Sequence, residues 1–263
     1  MSINLSKDLE NRINLSKKEA SIVIDKIGLN NQKAQVILAL DISGSMSGLL
    51  QNGKVQRAIE RILPLALNFD DDGSVELFPY HHGAFEHSNP ITLNNIEDFV
   101  KNEILPKYQL GATSYEPVIN LIRKKIGKDI QKSHSISSKS SGGFLGFGKK
   151  IEKEFGSENK TTSANQPTYV LFLTDGDNGD HAKTEDALRE ASNEEIFWQF
   201  VGIGNAGFGF LEKLDNLSGR YIDNASFFQV NDLDSISDND LYSRLLNEFP
   251  QWIKLAKNKN IIK

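Results

Sequence analysis

The chain contains no cysteine, which excludes disulfides, thiol nucleophiles and cysteine-ligated zinc, and fits a reducing compartment. It has no apolar run near the ~18 residues that would suggest a membrane-spanning helix. Residues 1–8 (MSINLSKD) lack the basic-then-apolar layout of a secretory leader, so a cytoplasmic protein is expected. No basic stripe is visible, and the formal charge of −5 argues against an extended nucleic-acid surface, because phosphate binding is largely electrostatic. What remains, with 38% hydrophobic and 25% charged residues over 263 positions, is a globular composition long enough for one large α/β domain with appendages.

Two short apolar runs stand out because each ends in a polar loop. Residues 35–40 (QVILAL) lead into Asp41-Ile42-Ser43-Gly44-Ser45, and residues 168–173 (TYVLFL) lead into Thr174-Asp175-Gly176. Continuous apolar runs of this length suit parallel strands buried on both faces. In open α/β sheets, ligands bind beyond the carboxyl ends of such strands, where these polar residues begin. Between them lies Gly111-Ala112-Thr113, whose glycine permits close backbone approach. Taken singly, each loop reads equally well as a helix cap or a turn. Together they offer hydroxyl and carboxylate oxygens, the donors a hard divalent cation prefers.

The D-x-S-x-S of Asp41, Ser43 and Ser45, followed in order by Thr113 and Asp175, closely resembles the metal-ion-dependent adhesion site (MIDAS) of von Willebrand factor A domains, over residues 34–230. The resemblance implies a doubly wound α/β fold with a mostly parallel central sheet and helices on both faces. It implies Ser43 and Ser45 as direct hydroxyl ligands, Thr113 as a ligand direct or through water, and Asp41 and Asp175 acting mainly through waters and hydrogen bonds. The implied ion is Mg²⁺, with Mn²⁺ or Ca²⁺ as alternatives. The implied activity is protein binding rather than catalysis: a partner's Asp or Glu carboxylate completes the coordination, and no small-molecule cofactor is needed. Ile-Asn-Leu-Ser-Lys occurs at 3–7 and again at 13–17. Such openings resemble those of bacterial tellurium-resistance and stress-response proteins, some of which carry an A domain, so a role in that response is implied.

The expected organisation is a helical extension over 1–32 and an A domain over 33–263. Ser16-Lys17-Lys18-Glu19 has the form of a capping box and predicts a helix over 17–27, ended by Gly28. Apolar spacing predicts a helix over 54–69 that Pro64 should kink or pause. Strands are expected at 75–78, 84–86, 196–201 and 227–230. Helices are expected at 95–105, 116–126, 181–191 (capped by Asp180), 208–217 and 237–256. The Ser/Gly-rich stretch 128–166 predicts a flexible insertion. A sharper alternative makes Phe144, Leu145 and Phe147, with Lys149 and Lys150, an adhesive tip.

Rival motifs are weaker. Gly202-Ile203-Gly204-Asn205-Ala206-Gly207 satisfies the dinucleotide fingerprint, with Asp223 about twenty residues on, yet only one short strand follows it. A haloacid-dehalogenase-type phosphotransferase would need a second acid where Ser43 stands. A serine-hydrolase elbow fails because Met46 occupies the centre of Gly44–Gly48. His81, His82 and His87 are expected at the surface or an edge, the adjacent pair pointing to opposite faces. Two alternatives to a cation-dependent binding module stay open: a metal-dependent phosphohydrolase with Asp41 as nucleophile, and a metal-independent assembly scaffold.

Overall fold

The computed structural model describes residues 5–69, 73–127 and 166–263. Five strands form one sheet: β1 (Gln35–Asp41), β2 (Glu76–Tyr80), β3 (Thr168–Thr174), β4 (Ile196–Ile203) and β5 (Ala225–Val230). Their order is β2-β1-β3-β4-β5, every pair parallel. The expected sheet, mostly parallel, is parallel throughout. The apolar runs of β1, β3 and β4 are buried at every position, as strands covered on both faces must be.

Alternation along β1 sorts the helices. Val36, Leu38 and Leu40 pack toward α1 (Lys7–Lys26), α2 (Ser47–Gln51), α3 (Lys54–Phe69), α7 (Asp238–Leu245) and α8 (Phe249–Asn258). Ile37 and Ala39 pack toward α4 (116–127), α5 (His181–Glu190) and α6 (Gly209–Asp215). The chain steps from β1 out to β2, then crosses to the other side of β1 for β3. That reversal opens a crevice at the carboxyl ends of β1 and β3, the place where such sheets bind ligands.

Several expectations are corrected. Helix α1 begins at Lys7 instead of 17, because Leu9 and Ile13 extend the buried stripe of Ala20, Val23 and Ile24 upstream. Ser16 is thus mid-helix; its buried hydroxyl donates to Asp238 and caps nothing. Pro64 is buried inside α3, which runs through it without the pause allowed for. The closing helix is two helices, since Pro250 lacks the amide an interior position needs and instead occupies the first turn of α8. In place of a 95–105 helix there is a five-residue π turn, Val100–Ile104, preceded by Asp98 in the left-handed region (φ 54°). No regular strand forms at 84–86. The chain runs back along β2 through isolated bridges Tyr80 to Ala84 and Val75 to Ile91. The 128–166 insertion, with Phe144, Leu145, Phe147, Lys149 and Lys150, lies outside the described residues but for Gln166.

Candidate metal centre

β1 ends at Asp41, which has no exposed surface. One of its oxygens, Oδ1, accepts from the Ser43 amide at 2.7 Å and the other, Oδ2, from the Thr174 hydroxyl at 2.7 Å. The first bond curls the chain after the strand, bringing Ser43 Oγ to 3.0 Å from Ser45 Oγ. Ser45, exposed, donates to Asp175 Oδ1 at 2.7 Å. Asp41, Ser43, Ser45 and Asp175 therefore converge on one point of the crevice through continuous hydrogen bonds, although 130 residues separate Ser45 from Asp175.

Thr113 reaches the same place through its backbone. Gly111 bridges to Ser43, and its carbonyl accepts from the Gly44 amide at 2.8 Å. On the other side the Thr113 carbonyl accepts from the Gly179 amide at 3.0 Å. A Cβ on Gly111 would come within 2.7 Å of His82 Nδ1 and 3.0 Å of His81 Cγ, so glycine here makes room for the two histidine side chains. The loop patterns, read through their resemblance to A domains, named Asp41, Ser43, Ser45, Thr113 and Asp175 as candidates, but not the residues that support these loops. Tyr115, fully buried, donates to the Gly176 carbonyl at 2.5 Å and lies 3.1 Å from Thr174 Oγ1. A buried tyrosine looks like ordinary core in sequence; only the position of Thr174 just before Asp175 hinted at a role.

Burial is the main influence on both carboxyls. It pushes Asp41 up to about 6, against the opposing hydrogen bonds from Thr174 and Ser43, and it raises Asp175 against the bond from Ser45. No cationic side chain offsets either acid among the described residues. Nor is there, among those residues, a group of three or more His, Cys, Asp or Glu that could hold a metal. A hard cation fits this donor set, because hydroxyl and carboxylate oxygens surround a place where two acids lack a positive partner. A site for a thiolate- or imidazole-seeking ion would be built differently.

The rival motifs find structural explanations. Gly202 lies within β4, and a Cβ there would sit 2.8–2.9 Å from the Phe208 ring, while Gly204 adopts φ +101°. The glycines serve packing and a turn. Gly202→Ala is expected to lower stability to urea by about 1–3 kcal/mol through overpacking, with part regained by adding Phe208→Leu. Stabilisation of the parent chain by NAD would instead restore the dinucleotide reading. His81 and His82 stand at the sheet's edge as expected, His82 exposed, but two details differ. His81 and His82 lie in a bend after β2 with rings stacked at 4.1 Å rather than on opposite faces. His87 is buried against Tyr108 (2.7 Å) and Glu103 (3.1 Å), and burial lowers its pKa.

Comparison with known proteins agrees with this architecture. The family model vWA-TerF-like, described as "vWA found in TerF C terminus", matches residues 33–262. YcbR of Bacillus subtilis (strain 168) is 35% identical over 254 residues, covering 95% of this chain and 90% of that protein. Among solved structures, BatB from Bacteroides thetaiotaomicron is similar in fold at 17% identity, with a TM-score of 0.50 over 84% of this chain and 99% of that one. Proximal thread matrix protein 1 from the mussel byssus is 15% identical with a TM-score of 0.48, over 82% of this chain. The chain spans 47% of that structure's length, about half. From the strand order, the crevice loops and the family match together, the chain belongs to the vWA-TerF-like family of von Willebrand factor A domains.

Proposed function

We propose that the chain is a divalent-cation-dependent protein-binding module rather than an enzyme. Ser43, Ser45 and Thr113 would offer hydroxyls to the ion, with Asp41 and Asp175 orienting them and supplying charge. A bound Mg²⁺, or Mn²⁺ or Ca²⁺, would supply a Lewis-acidic position that a partner's Asp or Glu carboxylate can fill. The observation that carries this reading is the joining of two carboxylates without cationic partners to the Ser43–Ser45 hydroxyl pair at the sheet's switch point. Asp41 is ill placed as a phosphohydrolase nucleophile, since it is buried and both its oxygens are engaged. A cytoplasmic setting is supported by the absence of cysteine, and no helix among the described residues is long and apolar enough to cross a membrane. A role in tellurite or general stress response is supported by the opening repeats and by the family description that names TerF.

The test is calorimetric and thermal-shift titration with Mg²⁺, Mn²⁺ and Ca²⁺ on the wild type and on Ser45→Ala and Asp175→Ala. Cation at a hundredfold excess over Kd should stabilise the wild type by about 2.7 kcal/mol and the variants far less. If no ion shifts the wild type, the metal-independent scaffold takes precedence. Turnover of a generic phosphate ester that depends on Asp41 would reinstate the hydrolase.

A further inference from the structure

We infer that Asp180 is a positioning residue of the cation site, clamping the loop that carries Thr113 to the loop that carries Asp175. Its sequence position suggested a cap for α5, and it does hold the N-cap position there, but its side chain accepts no α5 amide. It reaches across to another helix. Asp180 Oδ1 accepts from the Tyr115 amide at 3.0 Å and Oδ2 from the Glu116 amide at 2.9 Å, so it caps the start of α4, more than sixty residues earlier. Asn178 Nδ2 also donates to Asp180 and lies 3.1 Å from the Thr184 hydroxyl, which fixes the carboxylate's orientation.

The clamp bears on the site because of what lies beside it. One residue before Asp180, the Gly179 amide donates to the Thr113 carbonyl at 3.0 Å. Two residues after Thr113, the Tyr115 hydroxyl donates to the Gly176 carbonyl at 2.5 Å. Segments 113–116 and 176–180 are thus laced together, with Thr113 at one end and Asp175 next to the other. The remaining tethers of the Thr113 loop run the opposite way: the Gly111 carbonyl accepts from the Gly44 amide at 2.8 Å, and the Ser114 amide donates to the His81 carbonyl at 3.1 Å. Without the Asp180 carboxylate, Thr113 keeps its tethers on the Ser43 side, while its registration with Asp175 rests only on the Gly179 amide and the Tyr115 hydroxyl and is loosened. A site whose ligands come from separate loops depends on such supports, and their loss typically weakens metal binding by 10–100-fold.

This inference rests on the cation-site reading, and its test separates the two. Asp180→Ala and Asp180→Asn are compared with Arg123→Ala, which removes the ion pairs of α4 with Glu190 and Glu194 and so weakens the same helix away from the site. Amide hydrogen exchange on the cation-free proteins should quicken at Tyr115, Glu116 and Gly179 in Asp180→Ala and stay unchanged there in Arg123→Ala. Calorimetric Mn²⁺ titration, below the melting temperature of each variant, should show at least tenfold weaker binding in Asp180→Ala. Asp180→Asn, which keeps an acceptor for only one of the two amides, should fall between. Wild-type affinity in Asp180→Ala, or an equal loss in Arg123→Ala, overturns the positioning role. A wild type that takes up no Mn²⁺ overturns the cation-site reading instead. The exchange arm then decides the clamp alone, and unchanged rates at Gly179 in Asp180→Ala overturn it.

Discussion

Deletion of residues 1–28 is expected to leave a chain that does not fold on its own, although the family model begins only at residue 33. Leu9, Ile13, Ala20, Val23 and Ile24 of α1 are buried in the same core as α3, α7 and the β1 side chains. Burying each of the four larger ones contributes about 1.5–3 kcal/mol, an upper estimate that sums to roughly 6–12 kcal/mol. That is comparable to the whole stability of a typical domain, about 5–15 kcal/mol. Deletion would also expose the apolar faces of α3 and α7 and remove the Ser16 donor to Asp238 and the Arg12 ion pair (3.0 Å) to the largely buried Glu60. The truncated chain should lack a cooperative thermal transition and should bind a hydrophobic dye. A cooperative melt within a few degrees of the full chain would show that α1 is an appendage instead of part of the core.

Asp41→Asn is expected to stabilise the cation-free protein at neutral pH while abolishing its response to cations. The carboxyl is raised from 3.8 in the unfolded chain to about 6 in the folded one. Between those values the folded state binds the extra proton, so stability falls as pH rises through that window and levels off above about 6. At 1.36 kcal/mol per pK unit the decline is roughly 2–3 kcal/mol, or on the order of 5–10 °C in Tm for a domain of this size. Asparagine keeps the shape and can accept from the Ser43 amide without being charged. In chelator at pH 7.5 the variant should therefore melt above the wild type, with the order reversed in saturating Mg²⁺. A variant that melts lower in chelator would show that the ionised carboxylate is already satisfied by Ser43 and Thr174, leaving no charge for a cation to offset.

Much of the fold was legible because its central strands are covered on both sides. Continuous burial forces the uninterrupted apolar runs of β1, β3 and β4, and the loops at their ends then mark the crevice. The candidates Asp41, Ser43, Ser45 and Asp175 could be named because they stand in the loops directly after β1 and β3, whereas Thr113, in a separate loop before α4, was named only through the resemblance to A domains. What escaped depends on distant partners. Ser16 looks like a cap until Asp238, 222 positions away, is placed beside it. Asp180 looks like a cap for the helix that follows and serves the one before. His87 reads as a surface histidine until Tyr108 and Glu103 close over it. The break between α7 and α8 did have a local signal in Pro250, outweighed by the apolar spacing on either side.

The return of the chain along β2 has a consequence for how the protein behaves in a crowded solution. β2 is an edge strand, and an exposed row of backbone groups invites pairing with a strand from another molecule. Here Pro79 carries no amide to offer, its carbonyl accepts from the Phe85 amide at 3.0 Å, the Leu77 carbonyl from His87 at 2.9 Å, and the Val75 carbonyl from Ile91 at 2.8 Å. The segment from Phe85 to Ile91 is too irregular to count as a strand, so it uses up the edge without presenting a new one. It acts as a selvedge on that side of the sheet, a guard against strand-by-strand aggregation made from residues that otherwise look like an indifferent loop.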